Sequence, residues 1–127
     1  MMKRVTGIGG IFFKAEQPEQ LQAWSEKHLG IGMAPGFTGA VFESGSGKEP
    51  TIWSLFPKDT SYFAPSSAPF MINYRVENLP ALVQLLREEG VQVEEHNEES
   101  EFGKFAWIMD PEGNRIELWE PPANSKE

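Results

Sequence analysis

The stretch Phe102–Pro121, F-G-K-F-A-W-I-M-D-P-E-G-N-R-I-E-L-W-E-P, decides the fold. Two runs rich in aromatic and branched residues flank Asp110-Pro111-Glu112-Gly113-Asn114. Pro111 presets φ for a turn, and Gly113-Asn114 tolerate the positive φ of a tight reversal, so the segment reads as a β-hairpin. Pairing Met109 with Arg115 sets Trp107 opposite Glu117 and Phe105 opposite Trp119 on one face. Ala106, Ile108, Ile116 and Leu118 take the other face. That face is wholly aliphatic and suits a helix. The first, with two tryptophans and a carboxylate, suits the wall of a pocket.

Composition sets the outer bounds. A chain of 127 residues suits one domain able to bury about 65% of its unfolded surface. No run approaches the ~20 apolar residues of a membrane span, and no basic segment followed by an apolar one opens the chain. A soluble, cytoplasmic protein is expected. There is no cysteine, which removes thiol catalysis and disulfides. A net charge of −8 and a pI near 4.8 oppose binding to nucleic acid through phosphate neutralisation. Nine Phe, four Trp and two Tyr are enough for a core and for a ligand site besides.

Taken in order, residues 5–15 read as a strand containing close-approach glycines. Pro18 opens a helix to His28, with Leu21, Trp24 and Leu29 at helical spacing and Gly30 as its stop. Ala40–Glu43 and Thr51–Phe56 read as short strands, and the proline-rich segment 57–69 as a connector. The order then begins again. Phe70–Val76 is a strand, Asn78 an N-cap, and Leu79–Glu89 a helix with Leu82, Leu85 and Leu86 inward, stopped by Gly90. Val91–Glu95 is a strand, and the closing hairpin follows. Ile11 to Glu16 lies on Ile72 to Glu77, Leu21 on Leu82, Gly30 on Gly90, and Ile52 to Pro57 on Ile116 to Pro121. Such a repeat implies two half-sheets about a pseudo-two-fold axis, each with one face under its helix and the other facing a shared concavity.

These paired modules, W-S-E-K-H-L-G (residues 24–30) and D-P-E-G-N-R-I-E-L-W-E-P (residues 110–121) resemble the vicinal oxygen chelate superfamily. That superfamily includes glyoxalase I, extradiol dioxygenases, methylmalonyl-CoA epimerase, and fosfomycin and bleomycin resistance proteins. The resemblance runs from about Val5 to Pro121. It implies an α+β fold of two βαβββ modules, about 5–57 and 70–121, forming one cupped mixed sheet with the helices outside. By the same resemblance a homodimer is expected. Fold alone does not fix activity.

In metal-dependent members, four side chains from the first and last strands of each module hold a divalent ion. The resemblance places those positions at Gly10, Trp53, Met71 and Glu117. Only Glu117 suits a hard or borderline cation, against the three protein ligands of an ordinary catalytic zinc site. A one-residue slip offers Gly9 or Ile11, and Phe70 or Ile72, none of them a ligand. The metal set therefore reads as lost, with no cofactor expected and a divalent metal as the alternative. His28, near a helix C-terminus, and His96, in an acidic run read as solvated, are not expected to supply chemistry.

By alternation the inward set is Phe12, Lys14, Trp53, Met71, Asn73, Arg75, Phe105, Trp107, Glu117 and Trp119. One reading fills the cavity with these side chains and pairs Glu117 with Arg75 or Lys14. The other makes it a ligand pocket in which Phe12, Trp53, Met71, Asn73, Arg75 and Trp107 contact a small organic molecule. There Glu117 is the candidate acid–base group, with Asn73 or Arg75 stabilising an oxyanion. Three functions stay open: a metal-dependent lyase, isomerase or dioxygenase; a drug-sequestering protein without turnover, for which tryptophans suit a planar or cationic guest; and an accessory module. Ser44-Gly45-Ser46-Gly47-Lys48 resembles a phosphate loop only faintly and lacks the spacing and following helix of one. The tail Ala123–Glu127 is expected to fray.

Overall fold

A computed structural model describes residues 4–43 and 49–122. The faint phosphate-loop segment and the tail lie outside the described residues. Nine elements follow in order: β1 (Val5–Ala15), α1 (Pro18–Leu29), β2 (Gly39–Phe42), β3 (Thr51–Pro57), β4 (Phe70–Val76), α2 (Leu79–Glu88), β5 (Val93–Ser100), β6 (Gly103–Met109) and β7 (Arg115–Glu120). The seven strands form one mixed sheet in the order β2-β3-β1-β4-β7-β6-β5. No described helix is long and apolar enough to cross a membrane.

The internal repeat appears as symmetry at the sheet's centre. β1 and β4 run antiparallel, with Gly10 opposite Asn73 and Phe12 opposite Met71. Each then pairs in parallel with its own module's last strand, Phe12 with Ser54 and Asn73 with Glu117. Among the described residues the first module has three strands and the second four. The counterpart of β5 is replaced by a loop over 30–38, where three glycines and a proline disfavour a strand.

The closing hairpin has the expected register, Met109 with Arg115, Trp107 with Glu117 and Phe105 with Trp119. Asp110 fixes its turn by accepting through Oδ1 from the backbone N–H groups of Glu112 and Asn114, both at 2.9 Å. Its aliphatic face packs under α2, where Val76, Leu79, Leu82, Ala106 and Leu118 form a buried cluster. Each large apolar side chain in it contributes about 1.5–3 kcal/mol by leaving water. Asn78 caps α2 by accepting from Ala81 N at 3.2 Å.

Two expectations are corrected. The apolar stripe of α1 does not face the sheet: Trp24 is 53% and Leu29 63% exposed, whereas Gln22 and Ser25 are buried. Gln22 Nε2 donates at 3.0 Å to Gly39 O on the outermost strand, a carbonyl that also accepts from Ala34 N at 2.9 Å. Phe13 and Trp53, with ring centroids 5.8 Å apart, fill the outer face of this half instead. The strand expected over Val91–Glu95 is also longer, since β5 runs through the acidic segment to Ser100 and pairs with β6. An edge strand tolerates this charge because its outer side is solvated, and the charge discourages further pairing.

Candidate functional site

The inner face of the sheet carries a second cluster, Phe12, Phe63, Met71 and Trp107, with Ile52, Phe56 and Phe105 against it. Beside this packed floor lies a cavity of about 670 Å³ with mostly apolar walls. Phe12, Ile52, Phe105 and Trp119 form much of the wall, while Asn73, Tyr62 and Glu117 supply its polar end. The Phe105 and Trp119 rings lie nearly parallel, 8° apart in plane with centroids at 6.2 Å. Trp119 is anchored by its Nε1, which donates to Phe102 O at 2.8 Å.

Glu117 is 2% exposed, and three donors converge on its carboxyl. Tyr62 Oη donates to Oε2 at 2.6 Å, Trp107 Nε1 donates to Oε2 at 3.3 Å, and Asn73 Nδ2 donates to Oε1 at 2.9 Å. Register explains two of these: Asn73 is the parallel neighbour of Glu117 and Trp107 the antiparallel one. Burial pushes the Glu117 carboxyl above the usual carboxylate range, and the hydrogen bonds from Tyr62, Asn73 and Trp107 oppose that shift without cancelling it. The Tyr62 phenol is likewise held above its ordinary value, first by burial and then by the Glu117 charge, so it remains a donor.

An outer brace holds Tyr62 in place. Arg115 clasps Glu94 through two bonds, Nε to Oε2 at 2.7 Å and Nη2 to Oε1 at 2.8 Å, and its Nη1 donates to Tyr62 O. The same guanidinium lies over the Trp107 ring, 4.9 Å from its centroid, and 5.7 Å from that of Tyr62. Phe56 stacks on the Tyr62 ring at 5.5 Å and 7°.

Of the predicted contact residues, Phe12, Asn73 and Glu117 line the cavity. Trp107 stands behind Glu117 as a buried donor. Met71 is fully buried in the floor. Trp53 is turned to the outer face beside Phe13, because parallel pairing of Phe12 with Ser54 directs Ile52 and Ser54 inward. The pseudo-symmetric counterpart of Glu117 is therefore Ser54 and not Trp53, one place along from the alignment of Ile52 on Ile116. Arg75 is also not a partner of Glu117. Its Nη1 donates to Pro50 O at 2.7 Å and Ile8 O at 3.4 Å, and its Nε is buried without an acceptor among the described residues. Lys14 sits with Nζ 5.6 Å from the Phe63 ring centroid. His96 stacks on Trp107 with centroids 5.7 Å apart, and His28 lies against Trp24 at 5.1 Å.

Tyr62 is the site residue that sequence reading missed. It lies in a connector whose prolines and small residues signal only a turn, and its bond spans fifty-five positions. The available signal was an aromatic pair, Tyr62-Phe63, inside an otherwise polar segment.

The positions that the resemblance assigns to a divalent metal carry few donors. Among the described residues no three His, Cys, Asp or Glu side chains come together. With Ser54 in place of Trp53, the four symmetry-related positions are Gly10, Ser54, Met71 and Glu117, still with one carboxylate. That carboxylate accepts three hydrogen bonds, two on Oε2 and one on Oε1.

No family model matches the sequence, and no curated protein matches it. Solved structures do match the fold. Methylmalonyl-CoA epimerase from Mycobacterium tuberculosis superposes with a TM-score of 0.70 at 20% identity, over 98% of this chain and 93% of that one. The Streptomyces coelicolor epimerase in complex with 2-nitronate-propionyl-CoA gives 0.69 at 16% identity, over 94% and 99%. A glyoxalase/bleomycin resistance protein/dioxygenase superfamily member from Vibrio splendidus 12B01 gives 0.59 at 11% identity, over 94% and 99%. With its repeated modules, central antiparallel β1–β4 pair and inward-facing Glu117, this chain has the vicinal oxygen chelate fold.

Proposed function

We propose that the chain binds a small organic molecule with a planar, apolar body in the aromatic cavity, without a metal. The observation that carries this reading is the cavity of about 670 Å³ whose mostly apolar walls end at the buried Glu117 carboxyl. Its size falls in the ~300–1,000 Å³ range of small-molecule sites, and its few convergent polar groups match their anatomy. The stacked Phe105 and Trp119 rings give a flat guest a platform. An acyl-CoA of the kind bound by an epimerase neighbour fits less well, because no lysine or arginine lines the cavity among the described residues to meet its phosphates.

A second reading, proton transfer by Glu117, is favoured by the raised pKa of its carboxyl, which brings a general base closer to neutrality. Enolisation also needs donors for the developing oxyanion. Asn73 Nδ2 and Tyr62 Oη both point at Glu117 itself, and Arg75 is bound to main-chain carbonyls. Binding is therefore the better-supported activity. Homodimerisation belongs to the same proposal, supported by apolar side chains exposed on the outer face of the central strands, Ile8, Ile11 and Phe70.

The test is a titration of bicyclic aromatic fragments followed by tryptophan fluorescence and thermal melting. Quenching with a concentration-dependent rise in Tm is expected, and Ser54→Phe, which intrudes on the cavity, should abolish both. Fragments that leave both readouts unchanged at millimolar concentration would overturn the reading.

A further inference from the structure

The polar end of the cavity is unbalanced. Every side-chain donor at Glu117 (Tyr62 Oη, Asn73 Nδ2 and Trp107 Nε1) is directed at that one carboxyl. What remains is acceptor capacity. Oε2 has two donors but Oε1 receives only Asn73 among the described residues, and a carboxylate offers about four lone-pair sites in all. Tyr62 Oη donates its one proton and keeps its lone pairs. Asn73 Oδ1 is buried and has no donor among the described residues, which is uncommon for a buried polar atom.

Charge is unbalanced in the same direction. Among the described residues, the ionisable ones lining the cavity are Glu117, Glu101 and Tyr62. The two arginines nearest in the fold are engaged elsewhere. Arg115 is clasped by Glu94 and lies over the Trp107 ring, and Arg75 holds the Pro50 and Ile8 carbonyls. Arg115 acts on Glu117 only through space, the last of the effects that oppose burial, so an ionised Glu117 has no cation bonded to it among the described residues, in surroundings where a weakly compensated charge is expensive.

Resting on the small-molecule reading above, we propose that the cavity selects a planar aromatic cation bearing N–H donors, an amidine or aryl amine, whose nitrogen pairs with Glu117. Such a group supplies both missing elements, a proton for the vacant acceptor at Oε1 and a positive charge for the buried carboxylate. Its ring system meets Phe12, Phe105 and Trp119, where a cation gains further from the aromatic faces. An anionic guest would meet Glu117 and Glu101, with no lysine or arginine and only the Ser54 hydroxyl to receive it among the described lining side chains not aimed at Glu117 or at a carbonyl. The cation also exerts a proton-linked effect: it binds the ionised carboxylate, so affinity falls as pH drops through the raised pKa of free Glu117.

Three probes sharing one bicycle separate the possibilities: 2-naphthamidine, 2-naphthamide and 2-naphthoate, titrated calorimetrically into the full chain. The amidine is expected to bind at least tenfold more tightly than the amide, and the carboxylate not measurably. Acidification should weaken the amidine and leave the amide unchanged, a test that needs no variant. Glu117→Gln should erase the amidine's advantage. Naphthoate or naphthamide binding as tightly as the amidine would overturn the cation assignment while leaving the cavity reading intact. If none of the three bound, both would fall.

Discussion

Tyr62 Oη lies 2.6 Å from Glu117 Oε2, tying the segment between the two modules to the last strand of the second. The bond closes one end of the cavity and is the shortest of the three that Glu117 accepts. Tyr62→Phe keeps the ring that stacks on Phe56 and removes only the donor. Loss of one hydrogen bond to a buried carboxyl costs about 1–3 kcal/mol. The lower end is expected, since Tyr62 is 36% exposed and water can reach the gap. The Glu117 carboxyl should then titrate at higher pH than in the wild type, because this bond opposes the shift caused by burial. Urea melts and carbon NMR of the glutamate carboxyls measure the two effects, and an unmoved carboxyl titration would contradict the bond.

Glu117→Gln tests the burial of charge. The folded carboxyl has its pKa raised above the unfolded value, chiefly by desolvation. The folded state therefore holds the proton more tightly. The stability this contributes is complete below the unfolded pKa of about 4.3 and is lost as pH rises through the folded pKa. Glutamine carries no such dependence. Its oxygen can accept from Tyr62 and Trp107, and its amide can donate to Asn73 Oδ1 once that side chain turns over, giving the orphaned oxygen a partner. Relative to the wild type, the variant should gain Tm as pH rises above the unfolded pKa, and the gain should level off once pH passes the folded pKa. A wild-type protein that instead gained on the variant with rising pH would show that the carboxylate is stabilised where it sits.

The site was legible in the sequence only as far as alternation carries. Asp110-Pro111-Glu112-Gly113-Asn114 fixes the hairpin register, so Trp107 opposite Glu117 and the aliphatic face under α2 follow from local rules. The pseudo-two-fold follows from the repeat, but its phase on β3 does not. Aligning Ile52 with Ile116 is one residue off, and a slip of one exchanges the faces, which is why Trp53 was expected in the cavity where Ser54 lies. In α1 the apolar spacing of Leu21, Trp24 and Leu29 misleads, because the buried positions are Gln22, which donates to the Gly39 carbonyl, and Ser25. Tyr62 was out of reach for another reason. Its place depends on the path of an irregular segment, set by long-range contacts with Arg115, Phe56 and Glu117 that have no periodicity.

The Arg115–Glu94 clasp should matter more than an ordinary surface pair. Both guanidinium bonds are short, and the side chains are 11% and 27% exposed. A double-mutant cycle with Arg115→Met and Glu94→Gln is expected to give a coupling of about 1–2 kcal/mol, above the ~0.2–1 kcal/mol of solvated pairs. Arg115 holds the Glu94 carboxyl below its usual range. This contribution is thus present above the unfolded pKa and is lost as pH falls through the folded one. Arg115→Met should also free the Tyr62 carbonyl and so weaken fragment binding, whereas Glu94→Gln should weaken it less. Additive effects on stability at pH 7 would show that the clasp is no stronger than a surface ion pair.

Gly9 is the position where a single methyl group should disturb the whole constellation. A Cβ there would lie 2.3 Å from Asn73 Oδ1 and 2.8 Å from Trp119 Cε3. Neither neighbour can yield freely, since Asn73 is held by Glu117 through Nδ2 and Trp119 by the Phe102 carbonyl through Nε1. Gly9→Ala must move one of them, with a loss of about 1–3 kcal/mol as for other overpacked interiors. The matched control is Gly32→Ala, where nothing lies within 4 Å of the added carbon; it should change stability by less than about 1 kcal/mol, through unfolded-chain entropy alone. Because Asn73 donates to Oε1, displacing it removes one of the bonds that restrain the Glu117 shift. Gly9→Ala should therefore raise the pH at which Glu117 titrates, and Gly32→Ala should not. A Gly9→Ala protein as stable as the control, with an unchanged carboxyl titration, would mean that Asn73 and Trp119 have room that the close approach of β1 denies them.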